Sequence, residues 1–340
     1  MYSWGEDTSD WYGSGSYSYG ETGKDIRAAA AAASAAAGPR TYAAKNRPPN
    51  PTLIDPHKRI TTRSANPLIV AVDVTGSMAQ WPFEIFDRLP LLYSTLAQYR
   101  DDVEICFAAI GDARADRWPL QVSDFAHGYD LEQQLGSLYG EGGGGDAPES
   151  YGLFAWWVEN HVTVPNAKEP FLIVFGDAPM HPMTSRDEIQ RLLGDAKPQE
   201  TGASWSERLL GGVEFDSLRT WQRLKERWNV WFLRRPTGRP GDEVDKQWAQ
   251  AVGKERIFHI DDEQRAVDYA MGLVARSWGR FGDFQSNMLA RQDEKKVKSV
   301  AERIRTEGPR SLVCPSCGAR VPAEAFGRYV CSYCSSTLEL

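Results

Sequence analysis

Between residues 67 and 280 the chain alternates short, continuously apolar runs with longer segments whose apolar residues recur every three or four positions. The runs at 68–73, 103–110, 171–176, 230–233 and 257–260 lack the alternation of a half-solvated strand. They read as strands buried on both faces, the pattern of a parallel sheet. Helical stripes lie between them. Residues 83–99 are amphipathic, with an interruption expected at Pro90. Residues 149–159 carry Leu153, Phe154, Trp157 and Val158 on one face, and Phe215, Leu218, Trp221, Leu224 and Trp228 form the next stripe. Val244, Trp248 and Val252 form another. The last runs from Ala266 through Val267, Ala270, Met271 and Val274 to Trp278, after Asp261 and Asp262 as an acidic cap. This spacing assigns the Trp and Met residues to core rather than to cofactor contact. Strand–helix alternation of this kind predicts an α/β fold, a doubly wound, mainly parallel sheet flanked by helices with right-handed crossovers. Residues 112–130 read as an irregular insert and 195–213 as a long polar loop.

The flanks have a different texture. Residues 1–66 combine a Gly/Ser/Tyr/Trp-rich start, an alanine tract and a linker studded with Pro39, Pro48, Pro49, Pro51 and Pro56. Such composition buries too little apolar surface to offset ordering entropy, so a disordered tail is expected. Trp4, Trp11, Tyr12, Tyr17 and Tyr19 are candidate docking residues within it. The organisation read here is a tail at 1–66, the α/β domain at 67–280, a polar helical connector at 281–310 and a small module at 311–340. The connector carries Arg291, Lys295, Lys296, Lys298, Arg303 and Arg305, a basic bias that fits a solvated helix.

Composition narrows the class. A chain of 340 residues, 41% hydrophobic, is long enough for one large or two smaller cores. The net charge of −7 speaks against bulk nucleic-acid binding. No apolar run approaches the roughly 18 residues that span a bilayer, and the acidic start lacks the basic and apolar regions of a secretory signal. Four of the five cysteines fall within 314–334, which suits thiolate metal ligands in a reducing compartment better than a disulfide framework. A soluble, cytoplasmic protein is expected.

The chemistry concentrates in three loops. The apolar run 68–72 ends at Asp73, and Thr75 and Ser77 follow on alternate positions around Gly76. A carboxylate and two hydroxyls at the carboxyl end of a buried strand stand where open α/β sheets hold ligands. All three are hard oxygen donors of the kind Mg²⁺ prefers, although Asp, Thr, Gly and Ser also favour plain turns. A second loop, Gly-Glu-Gly-Gly-Gly-Gly-Asp-Ala-Pro-Glu-Ser at 140–150, places Asp146 and Glu149 at a helix start, where acids also serve as caps. It is no phosphate-binding loop, since no Gly-Lys-Ser/Thr follows. A third buried run meets Asp177 in Phe-Gly-Asp-Ala-Pro-Met-His. Three carboxyl-bearing loops converging on one sheet edge would form an oxygen-lined cation site.

In this order the three loops resemble a von Willebrand factor type A domain over about residues 65–280. That family carries a metal-ion-dependent adhesion site written Asp-x-Ser-x-Ser, then a distant Thr, then a distant Asp. Asp73, Thr75 and Ser77 match the first element with one Ser-to-Thr change, Asp177 matches the last, and the Gly-Gly-Gly-Asp-Ala-Pro-Glu stretch resembles the second loop of many bacterial and intracellular members. The resemblance implies a Mg²⁺ (or Mn²⁺/Ca²⁺) ion held by Asp73, Thr75, Ser77, Asp146 and Asp177, and a protein partner that completes its coordination. Proteins similar to this one often serve as adaptors for AAA-type ATPases or in bacterial stress and signalling systems, and some tellurium-resistance-associated members add a C-terminal metal-binding module. The second-loop Thr is missing here. Asp146 is the expected substitute, with Glu149 behind it. A carboxylate in that place would bind metal more strongly and draw an acidic partner residue less.

At the C-terminus, Cys314-Pro-Ser-Cys317 and Cys331-Ser-Tyr-Cys334 form two Cys-x-x-Cys knuckles thirteen residues apart. Two thiolates from each close a tetrahedral shell around Zn²⁺, so the segment looks like a zinc ribbon. Cys106 reads as a core thiol. No nucleophile elbow or Walker lysine is present, and none of the five histidines sits in a nucleophile–base pattern, His181 being the one nearest a carboxyl loop. The chain therefore reads as a non-catalytic, metal-dependent binding or scaffold protein. Its rivals are a Mg²⁺-dependent hydrolase built on Asp73, Asp146 and Asp177, and a nucleic-acid-associated adaptor acting through the ribbon.

Overall fold

The apolar runs form strands because each buries both faces. In the central strand, Leu68, Val70 and Val72 point into one hydrophobic core while Ile69 and Ala71 point into another. The computed structural model describes residues 52–78, 81–128, 130–140, 143–144, 148–194, 214–236, 242–308, 312–314, 316–317, 319–321 and 328–339. In chain order the strands and α-helices are β1 (Ile60–Thr61), β2 (Asn66–Asp73), α1 (Trp81–Leu96), β3 (Val103–Ile110), β4 (Leu120–Val122), α2 (Asp130–Ser137), α3 (Tyr151–His161), β5 (Val162–Thr163), β6 (Phe171–Gly176), β7 (Met183–Ser185), α4 (Arg186–Leu193), β8 (Glu214–Asp216), α5 (Ser217–Arg227), β9 (Asn229–Arg234), α6 (Asp242–Val252), β10 (Ile257–His259), α7 (Ala266–Ser277), α8 (Phe281–Leu289) and α9 (Glu294–Glu307). Four short strands follow: β11 (Leu312–Val313), β12 (Arg320–Val321), β13 (Arg328–Val330) and β14 (Thr337–Glu339).

Six strands make the main sheet, in the order β10-β9-β6-β2-β3-β4. All pairings are parallel except β3 with β4. The architecture is the expected α/β one, doubly wound and mainly parallel. Its chain order reverses between β2 and β6, which makes the carboxyl ends of these two strands the topological switch point. One face is covered by α1, α7, α8 and α9, the other by α3, α5 and α6. Trp156, Trp157, Trp221, Trp231, Trp248 and Trp278 are all fully buried, so the tryptophan stripes are core. Among the described residues no helix is long and apolar enough to cross a membrane.

Several expectations fail, each for a tertiary reason. Helix α1 runs through Pro90 without ending, held by buried Ile85, Phe86, Leu89, Leu91, Leu92 and Leu96. The insert at 112–130 contains β4, an edge strand too short to leave a pattern. Residues 52–66, expected as the end of a disordered tail, are ordered. Ile54 and Ile60 are buried, β1 pairs with β5, and the Asp102 carboxylate accepts from Ala65 N at 2.7 Å and Asn66 Nδ2 at 2.5 Å. The rest of the tail and its aromatic residues lie outside the described residues, as does the loop expected at 195–213.

The basic segment is not a solvated connector either. Helix α9 buries Val297, Val300, Ala301 and Ile304 in the same core as α7. A Cβ at Gly272 of α7 would fall 2.2 Å from Ile304 Cδ1, so the glycine admits the close approach. Arg303 lies over the Phe258 and Tyr269 rings and donates to the His259 carbonyl at 2.6 Å, and Arg305 donates to Gln285 at 2.6 Å. Ile304→Ala is therefore expected to cost about 2–5 kcal/mol in chemical denaturation, as for a buried aliphatic residue. A cost near zero would return the helix to solvent.

Candidate functional site

At the end of β2 the chain buries a carboxylate and satisfies it locally. Asp73 is fully buried. Its Oδ1 accepts from Thr75 N at 2.9 Å and Thr75 Oγ1 at 2.6 Å, and its Oδ2 accepts from the Tyr151 hydroxyl at the start of α3. The short 3-10 turn Gly76–Met78 then carries Ser77 toward β6, where its hydroxyl donates to Asp177 Oδ1 at 2.8 Å. The Thr75 and Ser77 hydroxyls lie 3.3 Å apart. Asp73, Thr75, Ser77 and Asp177 thus form one hydrogen-bonded set at the switch point. Gly176 makes room for it, since a Cβ there would fall 2.1 Å from the Tyr151 hydroxyl.

Sequence reasoning missed Arg235, the residue after β9. Its Nη1 donates to Asp177 Oδ2 at 3.1 Å and to the Ser77 carbonyl, and its guanidinium stacks over Trp81. No motif marks it; only the neighbouring strand order brings it to Asp177.

The glycine-rich loop seats directly on this turn. Gly76 N donates to the Gly143 carbonyl at 2.7 Å, and Gly144 N donates to Asp116 Oδ1 at 3.0 Å. A Cβ on Gly143 would lie 1.7 Å from that same carboxylate oxygen, so any larger residue there would have to displace the Asp116 side chain. Asp146 lies outside the described residues. Glu149 does not: its N–H donates to the Pro179 carbonyl at 2.9 Å and its carbonyl accepts from His181 N at 3.2 Å, which ties it to the loop after β6. The side chain is 3% exposed, and its Oε2 has no hydrogen-bond partner. His181 is buried with Nε2 3.5 Å from Asp112 Oδ1.

Burial and crowding of like charge raise these carboxyls. Asp73 is pushed up to about 7, first by burial and then by the Asp177 charge, against the hydrogen bonds from Thr75 and Tyr151. Glu149 is pushed up to about 10, by burial and then by the charges of Asp73 and Asp112. Asp177 is raised by burial and held back by its Ser77 hydrogen bond and by Arg235. Thr75 also hydrogen-bonds the Glu149 carboxylate, whose Oε2 is left without a partner, and the oxygens of Asp73, Thr75, Ser77 and Asp177 are hard donors of the kind Mg²⁺ takes.

The four C-terminal cysteines come together. Two antiparallel hairpins, β11–β12 and β13–β14, each present one knuckle. The Cys314–Cys334 sulfurs are 3.5 Å apart, Cys317–Cys331 3.8 Å, and all four lie within 4.8 Å of one another. A tetrahedron with Zn–S of about 2.3 Å has an edge of about 3.8 Å, whereas a disulfide would need about 2.05 Å. The set fits one zinc ion. Among the described residues it is the one group of three or more His, Cys, Asp or Glu ligand atoms so crowded; the carboxylates of the upper site are spread more widely. Cys106 is a buried core thiol donating to the Ser123 carbonyl at 3.3 Å, pushed up to about 12 by burial.

No family model matches the sequence, and no curated protein matches it. Among solved structures the chain is similar to proximal thread matrix protein 1 from the mussel byssus, with 11% identity and a TM-score of 0.42 over 64% of this chain and 48% of that one. It is similar to the pilus adhesin SpaC from Lactobacillus rhamnosus GG, with 11% identity and a TM-score of 0.43 over 72% of this chain and 31% of that one. It is also similar to the vWF domain of the type V pili tip protein Mfa5 from Porphyromonas gingivalis, with 9% identity and a TM-score of 0.40 over 68% of this chain and 98% of that one. The chain thus spans about half of the first of these proteins and about a third of the second. Likeness at this level identifies neither function nor partner.

Proposed function

We propose that the chain is a non-catalytic, protein-binding module of the von Willebrand factor type A kind, acting through a divalent cation at the carboxyl ends of β2 and β6. The observation that carries this reading is the hydrogen-bonded set Asp73, Thr75, Ser77 and Asp177 at the switch point. These residues would hold Mg²⁺, Mn²⁺ or Ca²⁺, and the ion would supply the contact point for a partner's oxygen donor. The C-terminal module is a zinc ribbon and a second contact surface. Val330 and Tyr333, exposed at 58% and 75%, support that role. The partner class is a protein assembly, with AAA-type ATPases and bacterial stress or signalling complexes as first candidates, and the compartment is cytoplasmic.

Affinity purification in Mg²⁺-containing buffer tests the reading, comparing the intact chain with an Asp73→Ala/Ser77→Ala variant. The twelve tryptophans give a near-UV signal to check that both proteins are folded. The expected result is a set of partners present with the intact chain and lost both in the variant and on Mg²⁺ withdrawal. Identical partner lists would reject the cation-dependent mechanism.

A further inference from the structure

Three segments far apart in the chain enclose a cavity of about 370 Å³ beside β4, the edge strand of the main sheet. Residues 52–57 cross the free edge of β4, where the Ile54 carbonyl accepts from Val122 N at 3.4 Å. They close against the end of α4, since a Cβ on Gly194 would fall 2.9 Å from the His57 ring. Residues 117–121 and the last turn of α4 form the other walls. The floor is apolar. Ile54, Pro119 and Leu120 are buried, and Trp118 and Leu192 stand half-buried beside them. The Gln121 amide is already taken up by the Tyr139 backbone, with bonds of 2.5 and 2.7 Å. The rim is basic. Arg117 and Arg191 are exposed there, and neither has a carboxylate partner among the described residues. Arg117 lies 5.4 Å from the centroid of the Trp118 ring, and Arg191 Nη2 donates to the Ala113 carbonyl at 3.0 Å, so both guanidiniums are positioned. Asp55 is the one acid of the described lining. Its Oδ1 accepts from His57 N at 2.9 Å and lies 2.7 Å from His57 Nδ1.

We propose that this cavity binds a small amphipathic carboxylic acid, with an aromatic or branched aliphatic body on the apolar floor and its carboxylate at Arg117 and Arg191. The volume lies at the small end of the range for small-molecule pockets, which pair an apolar lining with a few convergent polar groups. It equals roughly a dozen water molecules at about 30 Å³ each. The charge selects the head group. Two arginines against one acid leave a positive charge when His57 is neutral, and a monocarboxylate balances it. A guanidinium also matches a carboxylate in shape, with parallel N–H donors facing two oxygens. The apolar floor selects the body, because an inorganic anion would leave it in contact with water. This site is separate from the reading of Asp73, Thr75, Ser77 and Asp177 and does not rest on it.

Calorimetry on the full-length, zinc-loaded chain tests the proposal. The probes are 2-naphthoate, its uncharged twin 2-naphthamide, and acetate as an acid without a body. The wild type is expected to bind one 2-naphthoate per chain, 2-naphthamide at least tenfold more weakly, and acetate not measurably. Arg117→Gln/Arg191→Gln is expected to bind 2-naphthoate at least tenfold more weakly, the loss of a charge-assisted hydrogen bond, and 2-naphthamide as the wild type does. Leu192→Trp should fill the cavity and weaken both naphthyl probes. Near-UV circular dichroism checks that each variant is folded. Hydrogen exchange should slow at residues 52–57 and 117–121 when 2-naphthoate binds. No binding by the wild type, equal affinity for the acid and the amide, or unchanged 2-naphthoate affinity in the double arginine variant would overturn the proposal. So would protection confined to other parts of the chain.

Discussion

Stripping the metal from the C-terminal thiolates is expected to unfold β11–β14 and leave the six-stranded sheet intact. The first hairpin touches α7 through β11, and the two hairpins are joined by the sulfur cluster. A two-stranded hairpin is marginal in water, and here Val330 and Tyr333 face solvent while Cys314 and Cys331 are buried around the sulfur cluster. The backbone bonds Cys314 N to Ala319 O and Cys331 N to Ser336 O, 2.8 and 2.9 Å, close the knuckles but bury no apolar surface. Metal binding then becomes folding energy, of the order of 10–16 kcal/mol for structural zinc at neutral pH. Among the residues whose burial is described, none beyond Ile304 belongs to either hydrophobic core of the sheet. A strong chelator should release one zinc per chain, and hydrogen exchange should show protection lost in β11–β14 and kept in β2, β3 and β6. Cys314→Ser should reproduce the chelated pattern. Protected hairpins in the chelated protein would reject a zinc-dependent ribbon.

How far the sequence carried the fold depends on where the determining contacts lie. The strands β2, β3, β6 and β9 were legible because burial on both faces leaves continuous apolar runs, and in β2 each residue from Leu68 to Val72 faces a core. The cysteine cluster was legible from spacing alone. Asp73, Thr75, Ser77 and Asp177 could be named because each stands just past a buried run. Their mutual bonds follow from the parallel β2–β6 register, which a single chain does not display. Arg235 was not legible, because an arginine after a strand has no pattern until β9 is placed beside β6. Asp146, expected in the second loop, lies outside the described residues, while the backbone bridge of Glu149 to Pro179 and His181, which ties the second loop to the loop after β6, left no sign in the sequence. Order at 52–66 and the docking of α9 were lost for the same reason: polar and Pro-rich composition hides apolar residues, such as Ile54 and Ile304, whose partners are far away in the chain.

Stability without a divalent ion is expected to fall as pH rises from about 5 to about 8, opposite to the usual behaviour of a paired carboxylate. The sign follows from the direction of the shifts. Asp73 and Glu149 are raised in the folded state, to about 7 and about 10, while the unfolded chain loses these protons at ordinary carboxyl values of about 4. Between those limits the folded state binds more protons than the unfolded state, so each unit of pH costs up to about 1.4 kcal/mol per group. The cost is fully paid only above the folded value, which for Asp73 closes the window near 7 and for Glu149 extends it beyond. A divalent ion at the site works in the opposite sense: it binds the ionised carboxylates, so its affinity rises with pH and the slope in its presence flattens or reverses. Denaturation midpoints at several pH values, with and without Mg²⁺ and always with zinc retained, should show two diverging curves. Glu149→Gln should remove most of the slope above about pH 7, where Asp73 is already ionised, and raise stability there. A metal-free curve that is flat or rises over this range would mean that these buried carboxyls are satisfied from within, and that no cation is needed to hold the ends of β2 and β6 together.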